Sequence, residues 1–298
     1  MKDILVIGSG PAGMATAVWA RRLGLSVQVY EQDAIPGGQL NLIKGEIEDY
    51  PGVDCSGPEL RDKIVHRLDS MGVEIVLNSH VSDLDPVQRT IVVNGHQVSG
   101  RNIVIATGGR PRKLGIPGEQ EMYARGETYR SSVHASQMKG KPVIVVGGGD
   151  RAVENAYQFL KGGAHVTLVH RGDNLTARRG MTDLLRTVPG CEYLFNCTPT
   201  RIVGSQKVEG LKVEMDGKET LLKADAIVIT IGLQPTTSFL HDKLPLDTEG
   251  RIETNQVYET KYRGVFAIGD AMISSQFSSI AACGGQGMVV AKQIAVSM

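Results

Sequence analysis

The apolar run ILVI leads into Gly8-Ser9-Gly10-Pro11-Ala12-Gly13, and the GxGxxG spacing of those six residues has a mechanical meaning. The first glycine permits a sharp turn out of a strand, the second lets backbone approach a pyrophosphate, and the third lets the next helix pack closely. The helix start then offers free N–H groups to the anion. Glu31 lies about twenty residues further on, at the end of the run SVQVYE, where a carboxylate can accept hydrogen bonds from an adenosine ribose. The implied chemistry is dinucleotide binding. A second set, Gly147-Gly148-Gly149-Asp150-Arg151-Ala152, follows the run PVIVV, with alanine at the third position, as the fingerprint allows. There the place of Glu31 is taken by His170, followed by Arg171, with Arg178 and Arg179 close downstream. Losing the carboxylate and gaining cations favours a 2′-phosphate, hence NADP over NAD; a solvated basic loop is the alternative.

Cysteine and histidine point elsewhere. Cys55, Cys191, Cys197 and Cys283 include no CxxC pair, and their spacing fits neither a disulfide framework nor a zinc site. The seven histidines contain no HExxH or similar cluster, so no metal is expected.

The two glycine turns belong to a repeated unit. In one register Gly8 falls on Gly147, Gly13 on Ala152, Gly24 on Gly163, Val27 on Val166 and Glu31 on His170. Each copy also has a later apolar run ending in a small-residue turn, NIVIATGGRP (Asn102 to Pro111) and AIVITIGLQP (Ala226 to Pro235), which reads as a buried parallel strand. Strand, glycine turn, helix and strand therefore occur twice. The length of 298 residues suits two domains at about 150 residues each. Pro and Gly at linker density in GRPRKLGIPGEQ mark one crossing, and PTTSFLHDKLPL a second. The expected fold is α/β, with two Rossmann-like, three-layer ββα dinucleotide-binding domains, the second inserted in the first. The boundaries read from the sequence are 1–113 with 246–298, and 114–245.

Composition excludes several classes. The 32 Lys+Arg balance 32 Asp+Glu, so a charge-driven nucleic-acid or membrane-surface binder is not expected. No run approaches the ~18 consecutive apolar residues of a spanning helix, and MKDILVIGSG lacks a cleavable apolar leader, so a cytoplasmic protein is expected. The 36 glycines exceed the ordinary ~7% share and imply close backbone approaches at several places.

Beyond these patterns, GSGPAG, PGGQL at Pro36, IEDYPG at Ile47, SGPEL at Ser56, IATGGRPRKLGIPGE at Ile105, VVGGGDRAVENA at Val145, VHR at Val169 and FAIGDA at Phe266 occur in order. Over essentially the whole chain the sequence resembles the low-molecular-weight thioredoxin reductase family of pyridine nucleotide-disulfide oxidoreductases. The resemblance implies FAD in the first domain, NADPH (or NADH) in the inserted one, and a homodimer. It carries a flavin-lining role to Gln32, Gly37, Gly38, Gln39, Leu40, Asp49, Ala106, Thr107, Gly108, Gly269, Ser279 and Ile280, and a ribityl contact to Asp270. Gly232 joins the nicotinamide set. Asp49 stands where the family usually has Asn.

The departures lie where the chemistry should be. The family's CxxCD segment corresponds to part of GETYRSSVHASQMKGKPV (Gly126 to Val143), and its two cysteine positions hold Arg130 and Val133. The family's acid-base Asp falls on His134, and histidine is a residue type able to exchange protons if the domain brings it to the flavin; a plain loop histidine is the other reading. The HRR motif has become His170-Arg171-Gly172. Arg151 replaces a small residue, where it could clamp a phosphate or obstruct the nucleotide. Phe277 and Ser278 replace an RQ pair that touches the flavin in the family. Cys283 falls beside the helix facing the flavin, either redox-active or simply a small buried residue.

The expected function is an FAD-dependent NAD(P)H oxidoreductase that passes electrons directly to an external acceptor, a ferredoxin- or flavodoxin-like protein, a disulfide or a small molecule. Two alternatives stand beside it: a flavin oxidase of a small molecule using O2 without nicotinamide, and a non-catalytic FAD or nucleotide sensor.

Overall fold

The computed structural model describes every residue from 1 to 298 except Glu48, which belongs to the IEDYPG stretch; that one position lies outside the described residues. Contacts divide the chain into two compact units, Met1–Arg110 with Leu233–Met298, and Pro111–Gly232.

The first unit opens with β1 (Lys2–Ile7), α1 (Pro11–Arg22) and β2 (Val27–Tyr30). Residues Ile4 to Ile7 are buried throughout, as a central parallel strand covered on both faces requires. Helix α1 starts at a proline, whose missing N–H costs nothing in the first turn, and it buries Ala12, Gly13, Met14, Thr16, Ala17 and Ala20. Next come α2 (Gly57–Ser70), β3 (Ile75–Val76), β4 (Val81–Asp85), β5 (Thr90–Val93), β6 (His96–Ile105) and β7 (Gly109–Pro111). A reciprocal capping box starts α2, between Ser56 and Glu59. Strand β6 has two jobs. Its first half pairs antiparallel with β5, and Asn102–Ile105 pairs parallel with β1.

The second unit contains α3 (Glu119–Ala124), α4 (Ser131–His134), β8 (Pro142–Val146), α5 (Asp150–Lys161), β9 (His165–Val169) and α6 (Arg179–Arg186), then β10 (Cys191–Leu194), β11 (Thr198–Val203), β12 (Gly210–Met215), β13 (Lys218–Lys223) and β14 (Ala226–Ile229). Its parallel sheet has the order β10-β9-β8-β14, beside an antiparallel β11-β12-β13 layer. The first unit repeats this plan: β3-β2-β1-β6 are parallel, and β6-β5-β4 form the antiparallel layer. Two three-layer α/β units thus follow from one duplicated pattern.

The chain then returns to the first unit through β15 (Leu233–Pro235), β16 (Val265–Ala267) and α7 (Ile280–Ser297). Strand β16 adds beside β6, and α7 packs on α1 so closely that a Cβ on Gly287 would lie 2.7 Å from the Thr16 nitrogen. The second crossing falls between Gly232 and Leu233, not after residue 245 as the linker-like composition suggested. The reason is burial: Phe239, Leu240 and Leu244 enter the same apolar cluster as Leu5, Ile7 and Ile105. The first crossing falls after Arg110, slightly before the expected 113.

Candidate functional site

In the first unit, β1 turns sharply at Gly8, whose φ is +101°. A Cβ there would lie 2.4 Å from the Ala106 carbonyl oxygen, and one on Gly13 would lie 2.0 Å from the Gly8 oxygen. Both glycines are therefore fixed by backbone approach. Gly10 differs: nothing lies within 4 Å of the place its Cβ would take. It caps α1 without any side-chain hydrogen bond, and Met14 is the first residue whose N–H reaches back to it. The N–H groups of Ala12 and Gly13 thus have no acceptor within the helix, and Pro11 has none to offer. The second glycine segment lies against this opening, because Gly37 donates its N–H to the Ser9 carbonyl at 3.0 Å and a Cβ on Gly38 would first meet Gly10 at 3.4 Å.

Glu31, the residue after β2, is buried. Its Oε2 accepts from the Ser9 N–H at 2.8 Å and the Ser9 hydroxyl at 2.6 Å, and its Oε1 accepts from the Asp33 N–H at 3.0 Å. A carboxylate offers about four acceptor positions, so one remains for a ligand hydroxyl. Ser9 was not among the expected residues, although it stands between two of them. Gln32 and Asp49 are exposed, and Leu40 belongs to the core.

Residues far apart in sequence meet at Asp270. Its carboxylate accepts the Gln39 amide at 2.6 Å and also the Ser278 hydroxyl. The neighbouring Gly269 donates its N–H to the buried Gln286 amide oxygen at 2.7 Å, a contact that no local sequence signal announces. Thr107 spends its hydroxyl on the Thr236 carbonyl at 2.8 Å, and Gly108 accepts the Thr236 N–H, which fixes the 106–108 turn. Ser279 caps α7 by accepting from Ala282 at 3.0 Å, placing Ile280 as the first helical residue. Cys283 lies beside this group. Burial, reinforced by the Asp270 charge, pushes its thiol up to about 12. It is held protonated at neutral pH, and a protonated thiol is a poor nucleophile.

The second unit repeats the turn. A Cβ on Gly147, at φ +143°, would lie 2.3 Å from the Thr230 oxygen, as Gly8 does against Ala106. Gly148 occupies the place of Ser9, and the His170 ring lies over it, 2.4 Å from where a Cβ would stand. Burial, with Arg171 next in weight, holds the imidazole below its ordinary pKa and so favours the neutral ring. Gly148 accepts the N–H groups of Thr176 and Ala177 at 2.8 and 3.0 Å. Asp150 accepts from the Arg178 N–H at 2.7 Å and its Nε at 2.6 Å, so Arg178 is anchored at the start of α5. Arg151 and Arg171 are exposed, and Gly232, at φ +98°, accepts the Arg112 N–H.

His134 ends α4, and its Nδ1 lies 3.0 Å from the Arg130 nitrogen and 3.1 Å from the Arg130 carbonyl oxygen, while the ring stands edge-on to Tyr129. The ring is therefore engaged with the backbone at the start of its own short helix. Val133 is exposed, and all four cysteines are free. Among the described residues no group of three or more His, Cys, Asp or Glu could hold a metal ion, and no helix is long and apolar enough to cross a membrane.

The family model for the pyridine nucleotide-disulphide oxidoreductases matches residues 2–287. The chain belongs to that family. It is 34% identical to a thioredoxin reductase of Listeria monocytogenes over 96% of this chain and 91% of that protein, and 33% identical to one of Bacillus subtilis over 98% and 93%. The crystal structure of Lactococcus lactis thioredoxin reductase in its FR conformation superposes with a TM-score of 0.90 at 32% identity, covering 100% of both chains. This pyridine nucleotide-disulphide oxidoreductase is of the thioredoxin reductase type, a group that uses FAD and NADPH. The first cradle fits a flavin dinucleotide: an uncapped helix start, an open Gly10, and polar side chains at Glu31 and Asp270 converge on it.

Proposed function

We propose that the chain is an NAD(P)H oxidoreductase whose first unit holds FAD, whose second unit holds the nicotinamide nucleotide, and whose electrons leave the flavin for an external acceptor without a protein dithiol. The observation that supports this reading is that the four cysteines are free and contain no CxxC spacing, while the family resemblance assigns the two redox-cysteine positions to Arg130 and Val133. Arginine and valine cannot exchange disulfides. Cys283 is no substitute while burial keeps it protonated.

FAD bound in the first cradle supplies the two-electron carrier. The chain's own residues do the rest. The α1 start would meet the pyrophosphate with the N–H groups of Ala12 and Gly13, and Glu31, pre-set by Ser9, would orient the adenosine ribose. Asp270, pinned between Gln39 and Ser278, would accept from the sugar-alcohol chain, and Gly38 would stand beside Gly10 at the pyrophosphate opening. In the second unit Gly147, Gly149, Asp150, His170, Arg171 and Gly232 form the corresponding cradle. The acceptor is a ferredoxin- or flavodoxin-like protein, a disulfide or a small molecule, and the working form is a cytoplasmic homodimer.

An anaerobic titration of the flavin-loaded protein with NADH and NADPH separately tests this reading. Bleaching of the flavin band by at least one of them, with reduction of ferricyanide and no reduction of thioredoxin, is expected. Thioredoxin reduction at enzymatic rates, or a flavin that neither nucleotide bleaches, would overturn it.

A further inference from the structure

The second unit contains a cation whose position the repeat pattern did not foresee. We infer that Arg178 is the clamp for the pyrophosphate of the pyridine nucleotide, held in place by Asp150, and does not read the 2′-phosphate. This rests on the proposal that the second cradle takes a nicotinamide dinucleotide.

In a strand, glycine turn and helix unit, the two ends of the adenosine diphosphate part are read at different places. The pyrophosphate lies at the helix start, and the ribose lies at the end of the next strand. Asp150 is the first residue of α5 and follows Gly149, so it marks the pyrophosphate end. Arg178 is held there by two bonds to one carboxylate, through its backbone N–H at 2.7 Å and its Nε at 2.6 Å. The ribose end is occupied by His170, which follows β9 and covers Gly148, with Arg171 beside it. A cation suited to a 2′-phosphate therefore stands at Arg171.

The surrounding backbone makes the placement of Arg178 firm. Thr176 and Ala177 both donate to the Gly148 carbonyl, which ties the segment leading to Arg178 across the glycine turn itself. Asp150 uses Nε, leaving the terminal nitrogens of the guanidinium fork available to a second anion. The ion pair also answers an electrostatic problem. A carboxylate at a helix start would repel an incoming pyrophosphate, and the arginine offsets that charge where it arises. At 78% exposure for the arginine side chain, the pair is weak enough to share its guanidinium with a doubly charged ligand.

Arg178 should then serve NAD and NADP alike, whereas Arg171 should set their ratio. Isothermal titration of the flavin-loaded protein with NAD+ and NADP+ tests this. For Arg178→Ala, both affinities fall by about tenfold with the ratio unchanged, and Arg178→Lys, which keeps the charge without the fork, falls between. Arg171→Ala lowers NADP+ affinity alone. An Arg178→Ala loss confined to NADP+ would make the residue a 2′-phosphate reader, and no change with either nucleotide would make it a surface staple; both overturn the inference. If the unaltered protein binds neither nucleotide, the proposed use of the second cradle fails first, a result separate from either of those.

Discussion

Gly8 and Gly10 stand two residues apart in one motif, yet the structure assigns them opposite kinds of constraint, and alanine at each position should separate folding from cofactor binding. Gly8 sits at φ +101°, and its Cβ would press on the Ala106 carbonyl at 2.4 Å. An L-residue in such a conformation costs about 1–2 kcal/mol, and forcing a methyl into packed backbone costs a further ~1–3 kcal/mol. Gly8→Ala should therefore destabilise the flavin-free protein by about 2–5 kcal/mol. Gly10 has φ −66° and ψ 179°, and its Cβ would meet nothing within 4 Å. Gly10→Ala should keep apoprotein stability within about 0.5 kcal/mol, while its methyl occupies the space where backbone must approach a pyrophosphate. A loss of at least about tenfold in FAD affinity should follow, or ~1.4 kcal/mol. Urea unfolding of apoprotein followed by circular dichroism reads the first quantity, and quenching of flavin fluorescence on titration reads the second. The reasoning fails if Gly10→Ala binds FAD as tightly as the parent, or if it loses as much stability as Gly8→Ala.

Ser278→Ala removes one of the two donors that hold Asp270, so FAD affinity should drop about three- to tenfold, and Ser278→Thr, which restores a hydroxyl, should recover most of it. Unchanged affinity in the alanine variant would show that Gln39 alone suffices. A pH series offers a third check. Because burial raises the folded-state pKa of Cys283 to about 12, the unfolded thiol ionises first, near 8.5. The stability tied to the neutral thiol is complete below that pH and lost progressively as pH rises toward 12. Cys283→Ser should show a shallower alkaline decline in denaturant unfolding; parallel declines in the two proteins would refute the assignment.

Much of the site was legible because its parts are local. A glycine turn after an apolar strand is specified by consecutive residues, so Gly8, Gly13 and Gly147 could be assigned their backbone roles before any fold was known. Duplication made the second turn readable from the first. Contacts across long loops were not legible: Gln39 reaches Asp270 from 231 positions away. Nothing in either segment's composition announces that bond. The second crossing was misplaced for a related reason. PTTSFLHDKLPL has the Pro and polar content of a linker, but Phe239, Leu240 and Leu244 find a core to enter, and burial outweighs the local turn signals.

The amino-acid order alone determined that two glycine-turn units exist, that a glutamate follows one where a histidine follows the other, and that the four cysteines contain no CxxC spacing. Those properties depend on residue identity and short spacing, which the chain carries before it folds. Packing decided the rest: that Asp150 claims Arg178, that Ser278 and Gln39 share Asp270, and that Cys283 is buried enough to stay protonated. Each of these is a matter of a few ångströms or of local dielectric, set by which surfaces come together once the sheets and helices close around their cores.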